Sequence, residues 1–359
     1  MRARIVCLPG DGTGPEVMQE AVRVLTSVAC AFDHSFAFVE EKLGRSALLA
    51  YGTPLNEKTL ESCRAANAVL LGAAGLPAFS GTTKDGSKKD GHVMLQGGLG
   101  LTAGIQLSPI PQTAAATQNL TAGADLALVW PLPDGAADSF LEEEGQTAHD
   151  TISLTAPQAE EVMRTAFQLA RERHRTIHTA LEPGLHAAGS LWREAARHVG
   201  KEYPDISLTW LESGRCAAEL ARDPAQFDVL LAASPLHRTL SGILAGRFFS
   251  QGLSPCFMTG SHSPDVYLPA YADEPAQAGR DMISPIAMIL AAALMLRRSL
   301  QLCSEADCVE MAVKNVLDAG WRTADMARSG EPKVGTQAIG KLIAEQVDTA
   351  GAIMGGFRR

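Results

Sequence analysis

Short apolar runs alternate with longer stretches in which apolar residues recur every three or four positions. The runs at 5–8, 68–71, 126–129, 177–180, 208–211 and 229–232 have strand length, whereas 17–28 and 159–173 carry helical spacing. An uninterrupted apolar run bounded by polar turns is what a strand buried on both faces needs, so the alternation predicts β-α units around a buried sheet. The helix over 159–173 is announced by Thr155, an N-capping residue type, and by Pro157 near its start. The apolar run 286–296 is about half of what crosses a bilayer and predicts a buried helix. Two segments break the pattern. Residues 131–150 are rich in Pro, Gly and acids, with Glu142, Glu143 and Glu144 in a row, and predict a protruding arm; residues 75–91, rich in Gly, Lys and Asp, predict a mobile segment.

Composition narrows the function classes. The chain has 359 residues, enough for two lobes, with 46% hydrophobic and 20% charged residues, which is ordinary for a globular protein. A net charge of −9 leaves no basic footprint for nucleic acid or an anionic membrane, and the only basic run, 84–89, is diluted by Asp85 and Asp90. Seven cysteines with no CxxC spacing predict reduced thiols and a cytoplasmic protein, in keeping with a start that shows no signal region. Cys216 and Cys256 could act as nucleophiles, although buried inert thiols are the commoner fate. His92, His237 and His262, with Asp265 close to the last, fall in loops and could form a metal site; scattered loop histidines are more often solvated.

Gly10, Gly12 and Gly14 stand between a strand and a helix. Their spacing is one residue short of the dinucleotide-binding fingerprint, and a tight strand-to-helix turn accounts for them. The whole stretch LPGDGTGPEV (8–17) instead resembles the opening of the isopropylmalate/isocitrate dehydrogenase family. GTPLNEKTLESCRAANAVLLGA (52–73), SLWRE (190–194), RDPAQFDV (222–229), SPIAMIL (284–290) and RTADMA (322–327) match the same family in the same order. The resemblance implies a two-lobed α/β fold that is not a Rossmann fold. One lobe would come from 1–99 and 255–359, and a middle lobe with dimerisation helices and the arm from 100–254. It also implies a cleft where a divalent metal and a nicotinamide cofactor oxidise a 2-hydroxy acid that then loses carbon dioxide. The dimer would form through 217–222 and 240–249, where Leu240, Ile243, Leu244 and Phe248 make an apolar stripe.

The residues at the family's working positions differ from those the chemistry uses. Where the family holds substrate carboxylates with three arginines, this chain has Gln96, Gln106 and Trp130. Where it holds the metal with aspartates, this chain has Gly214, Arg238 and Gly242, two without side chains and one a cation. Glu182 and Ala137 occupy the positions of the proton-relaying lysine and the protonating tyrosine. On the cofactor side stand Tyr271, Asp273 and Glu274, with Ser284 replacing an asparagine; two carboxylates would oppose a diphosphate.

These substitutions lead to the expectation of no metal and no NAD, and of a non-catalytic paralogue that binds a small molecule or a partner, as a homodimer or in a heteromer with an active relative. No oxidation of isopropylmalate, isocitrate, tartrate or malate is expected on that reading. The alternatives are an enzyme of changed chemistry, lined by Glu182, Arg238, Gln96 and Gln106, and a conventional NAD-dependent 2-hydroxy-acid dehydrogenase. The exchanged signs at 182 and 238 further predict an ion pair between Glu182 and Arg238, within one chain or between subunits.

Overall fold

A computed structural model describes residues 1–359 except 74–80, 83–87, 110–124, 133–137, 142–146, 152, 234–235, 248–250, 262, 271–274, 328 and 357–359. Ten strands form one sheet: β1 (Arg2–Gly10), β2 (Ser35–Glu40), β3 (Ala68–Ala73), β4 (Ala103–Pro109), β5 (Asp125–Pro131), β6 (Thr176–Leu181), β7 (Ser207–Glu212), β8 (Val229–Ala232), β9 (Pro255–Thr259) and β10 (Val266–Pro269). Their spatial order is β7-β6-β8-β5-β4-β9-β10-β3-β1-β2. The strands of 1–99 and 255–359 therefore fill one half of the sheet, and those of 100–254 fill the other. The α/β architecture and the buried sheet expected from the apolar runs are both present.

The flanking helices are α1 (Gly14–Phe32), α2 (Arg45–Tyr51), α3 (Glu57–Arg64), α4 (Gly91–Leu99), α5 (Ala156–Arg171), α6 (His186–Val199), α7 (Ser213–Arg222), α8 (His237–Arg247), α9 (Ile286–Arg298), α10 (Cys303–Asp318) and α11 (Thr336–Gly356). Thr155 caps α5 as its sequence suggests, its side chain accepting from the Gln158 N–H. Gly10 and Gly12 adopt φ of 75° and 56°, the left-handed backbone that the turn into α1 requires. Helix α9 is apolar almost all round because it lies in the main core, where each fully buried Ile, Leu or Met stabilises by about 1.5–3 kcal/mol. Within the arm expected at 131–150, strands 138–141 and 148–151 pair as an antiparallel ribbon. Most of the segment at 75–91 lies outside the described residues.

The two halves of the sheet meet where β4 lies antiparallel to both β5 and β9. Because side chains alternate across a strand, Gly104 and Gln106 share one face, and register sets Gly104 opposite Trp130 on β5 and opposite Met258 on β9. In the same way Gln106 lies opposite Leu128 and Cys256. Two rows of side chains thus cross the junction on a single face.

Two of the four residues proposed as a dimer stripe are committed elsewhere. Leu240 and Leu244 are buried in the chain's own core with Leu220 and Leu230. Ile243 packs partly against the same cluster, and Phe248 lies outside the described residues. Helical periodicity identifies an apolar face but does not say what covers it.

Candidate active site

The row Trp130, Gly104, Met258 forms the floor of the site. A Cβ added at Gly104 would fall 2.3 Å from Cε2 and 2.4 Å from Cζ2 of Trp130, so the indole lies where any larger residue would stand. The ring stacks on His237 at the start of α8, with centroids 5.0 Å apart and planes 6° from parallel. Trp130 thus sets an uncharged aromatic wall over Gly104.

Helix α4 supplies the opposite wall. Asp90 caps it by accepting from the His92 N–H at 2.8 Å, which fixes the first turn. His92 and Gln96, one turn apart, then face Met258. Gln96 Nε2 lies 3.2 Å from His92 Nε2 and 3.4 Å from Met258 Sδ, and His92 Nε2 is 3.4 Å from the same sulfur. Gln96 is only 4% exposed, and its Oε1 has no partner among the described residues. In the next row the Gln106 amide donates to Ser108 Oγ at 3.3 Å.

Both histidines are held neutral. Burial pushes the His237 imidazole down to about 4, assisted by the neighbouring Arg238 cation. Burial also lowers His92; Asp90 opposes the shift and Arg238 reinforces it. Arg238 therefore lies within electrostatic reach of both rings. It is exposed, and no ion pair joins it to a carboxylate among the described residues.

Glu182 belongs to a separate group. It follows β6 and accepts from Ser213 Oγ at 2.7 Å, beside Gly214 and Glu212 at the end of β7. The expected ion pair with Arg238 does not occur within the chain; the Glu182 carboxylate accepts from Ser213 instead. The three positions expected to match the family's metal ligands do not fit a divalent ion. Gly214 and Gly242 offer no side-chain oxygen, Gly242 faces open space, Arg238 is a cation, and no three His, Cys, Asp or Glu side chains converge among the described residues.

Of the cofactor-side positions, Tyr271, Asp273 and Glu274 lie outside the described residues, as do Ala137 and His262. Ser284 is fully buried, and its Oγ accepts from the Ile286 N–H at the start of α9. Asp265 is occupied by the Tyr267 hydroxyl and Arg298. Burial pushes the Cys216 thiol up to about 11 and raises Cys256 further, so both are inert at neutral pH. A cavity of about 350 Å³ on the other face of the sheet, between α5 and β9, takes in none of the expected residues; its Ser261 and Glu161 bond to each other.

The sequence singles out Gln96, Gln106, Trp130 and Arg238 but not Gly104 and Met258, which line the same sheet junction. A glycine inside the strand AGIQLSP is the signal that pointed to the first, since interior strand glycines mark close approach by a neighbour. Met258 carries no local signal.

Comparison with known proteins bears on the fold and the kinship of the chain. The model of the isocitrate/isopropylmalate dehydrogenase family matches residues 4–343. The 3-isopropylmalate dehydrogenase of Shouchella clausii is 34% identical, covering 96% of this chain and 97% of its own. That of Gloeobacter violaceus is 35% identical, covering 97% and 99%. Among solved structures, isocitrate dehydrogenase from Methylococcus capsulatus superposes with a TM-score of 0.84 at 25% identity, covering 96% of this chain and 99% of that one.

Two expectations are corrected by these findings. A non-catalytic paralogue is contradicted, because the relatives matched over nearly their full length are named as dehydrogenases. The expectation of no cofactor falls with it, since dehydrogenation consumes an electron acceptor that no side chain supplies. Both errors came from weighing a handful of substituted positions above the retained scaffold. A match that runs unbroken from residue 4 to residue 343 leaves one conclusion about kinship: the chain belongs to the isocitrate/isopropylmalate dehydrogenase family.

Proposed function

We propose that the chain is an oxidoreductase that dehydrogenates a 2-hydroxy acid in a cleft at the junction of β4, β5 and β9. The observation that carries this reading is the 34–35% identity, over almost the whole chain, to proteins named 3-isopropylmalate dehydrogenase. The cleft would separate a large lobe, 1–99 and 255–359, from a middle lobe, 100–254, and two copies would pair through α7 and α8. A nicotinamide, when bound, supplies the hydride acceptor. The chain's own part is to bind and orient the acid. The Arg238 guanidinium offers paired donors to a carboxylate, the Gln96 amide offers a hydrogen bond, and the Trp130 and His237 rings exclude water from the bound face.

The test is a panel of 2-hydroxy acids with NAD⁺ or NADP⁺, followed by nicotinamide absorbance with and without Mg²⁺. Turnover of at least one acid above a no-enzyme control is expected. Absence of turnover across the panel, together with no rise in melting temperature on adding either nucleotide, would refute the reading, because a ligand held by the folded state must raise it. Light scattering at micromolar concentration checks the pairing; a monomer would refute it.

A further inference from the structure

The geometry points to a second ligand site: we propose that the cavity between α5 and β9 binds a small zwitterion of the α-amino-acid type, its carboxylate held by Arg298 and its ammonium group by Glu172. The site is separate from the cleft and does not depend on the dehydrogenase reading.

Side chains alternate across a strand, so Ile105 faces away from Gly104 and Gln106 and places the cavity on the face of the sheet opposite the cleft. Its walls come from both halves of the sheet. Helix α5 supplies Glu161, Arg164, Thr165, Gln168 and Leu169, and the end of β9 with Arg298 closes the other side. A volume of about 350 Å³ stands at the lower end of the roughly 300–1,000 Å³ of small-molecule sites, which suits a single small metabolite.

Arg298 is the anchor. Its Cζ lies 4.1 Å from the centroid of the Phe257 ring and its Nε 3.5 Å from Asp265 Oδ2, so the guanidinium is fixed between a ring and a carboxylate. The Nε makes no hydrogen bond to that carboxylate, which accepts from the Tyr267 hydroxyl, and the Arg298 side chain, a third exposed, makes no hydrogen bond at all among the described residues. A fixed fork of N–H groups whose hydrogen bonds are unmade is the partner a carboxylate needs. Asp265 does not exhaust it, for a guanidinium can serve two carboxylates: Arg297, the preceding residue, pairs with Asp307 at 2.8 Å and Glu310 at 2.9 Å.

The other charges select the rest of the ligand. Of the remaining charged groups that line the cavity, Arg164 forks onto Glu202 and Glu161 accepts from Ser261, so both are spent. Glu172, exposed just past α5, has no side-chain partner among the described residues. Two arginines and two glutamates leave the lining neutral. A lone anion is therefore repelled by the carboxylates while Arg298 attracts it, and a lone amine meets the reverse; a molecule that carries both charges gains both attractions. The body of the ligand lies against half-buried Leu169, above buried Ile105 and Phe257, and that wall favours an uncharged side chain.

The experiment is titration calorimetry on the full-length protein. L-norvaline is compared with pentanoate and butylamine, and L-phenylalanine with 3-phenylpropanoate and phenethylamine, each analogue lacking one charge of its amino acid. At least one amino acid is expected to bind saturably and several-fold tighter than both of its analogues. Glu172→Gln, at an exposed position with no partner to lose, should weaken it roughly two- to fivefold, the worth of a solvated ion pair. Arg298→Gln should weaken it roughly tenfold or more, as loss of a charge-assisted hydrogen bond does. Gln168→Trp, exposed on the same wall, sets an indole across the cavity and should abolish binding.

No saturable binding by either amino acid, equal or tighter binding by an analogue, or an affinity unchanged in both Glu172→Gln and Gln168→Trp would each overturn the proposal. Melting temperatures show whether each variant is folded. Should Arg298→Gln lose its fold with the Asp265 and Phe257 contacts, the two variants at exposed positions decide the matter.

Discussion

Replacing Gly104 by alanine tests whether the Trp130 floor depends on the absence of a side chain. The added Cβ would lie 2.3, 2.4 and 2.6 Å from Cε2, Cζ2 and Nε1 of Trp130, far inside contact distance, and a rigid indole cannot yield by rotating its far end. Overpacking of this kind costs about 1–3 kcal/mol, and displacing the ring from its 5.0 Å stack on His237 forfeits about 0.5–1.5 kcal/mol more. The expected loss is therefore about 2–4 kcal/mol. Scaling unfolding entropy to a chain of this length converts that to roughly 3–5 °C in melting temperature. The assay is a double-mutant cycle by thermal and urea unfolding, with Gly104→Ala, Trp130→Ala and both together. In the Trp130→Ala background the three atoms nearest the new methyl are gone, so Gly104→Ala there should cost less than about 0.5 kcal/mol. Equal costs in both backgrounds would show that the indole is not seated over Gly104, and the floor described above would be wrong.

The remaining predictions concern pH and a buried ion pair. His237 titrates near 4 in the folded chain against an ordinary 6.5, so between those values the unfolded chain binds more protons, and stability present above pH 6.5 is lost as the pH falls toward 4. The loss from this group is up to about 3 kcal/mol, with His92 acting in the same direction, and His237→Phe should flatten the urea midpoint between pH 6.5 and 4.5; superimposable profiles would contradict the assignment. Asp228 is 4% exposed and accepts from Arg173 Nε at 2.7 Å and the His174 N–H at 2.9 Å, so Arg173→Met strands a buried carboxylate and should cost about 3–5 kcal/mol. Arg173→Met combined with Asp228→Asn should recover part of that loss, and a single-variant cost below about 1 kcal/mol would show the pair to be unimportant.

Much of the fold was legible in the chain itself, because it rests on local rules. Each of the six apolar runs lies within a strand, Thr155 and the Gly10–Gly12 turn act as their residue types dictate, and the collinear motifs place the chain in its family. The glutamines at 96 and 106, the indole at 130 and the guanidinium at 238 were also legible as candidates. Their arrangement was not. Trp130 meets Gly104 only because β5 and β4 pair in one register, and Gln96 meets Met258 only because β9 returns from far along the chain to lie beside β4. The same long-range packing places His237 on Trp130, brings Arg238 within reach of His92, and commits Leu240 and Leu244 to the chain's own core. Periodicity and capping act over a turn or two of chain, so sequence alone determined the elements and the kinship. Which buried polar atom stays unsatisfied, and which histidine is neutral, depends on strand register and on the water that packing excludes, and those the tertiary structure alone decided.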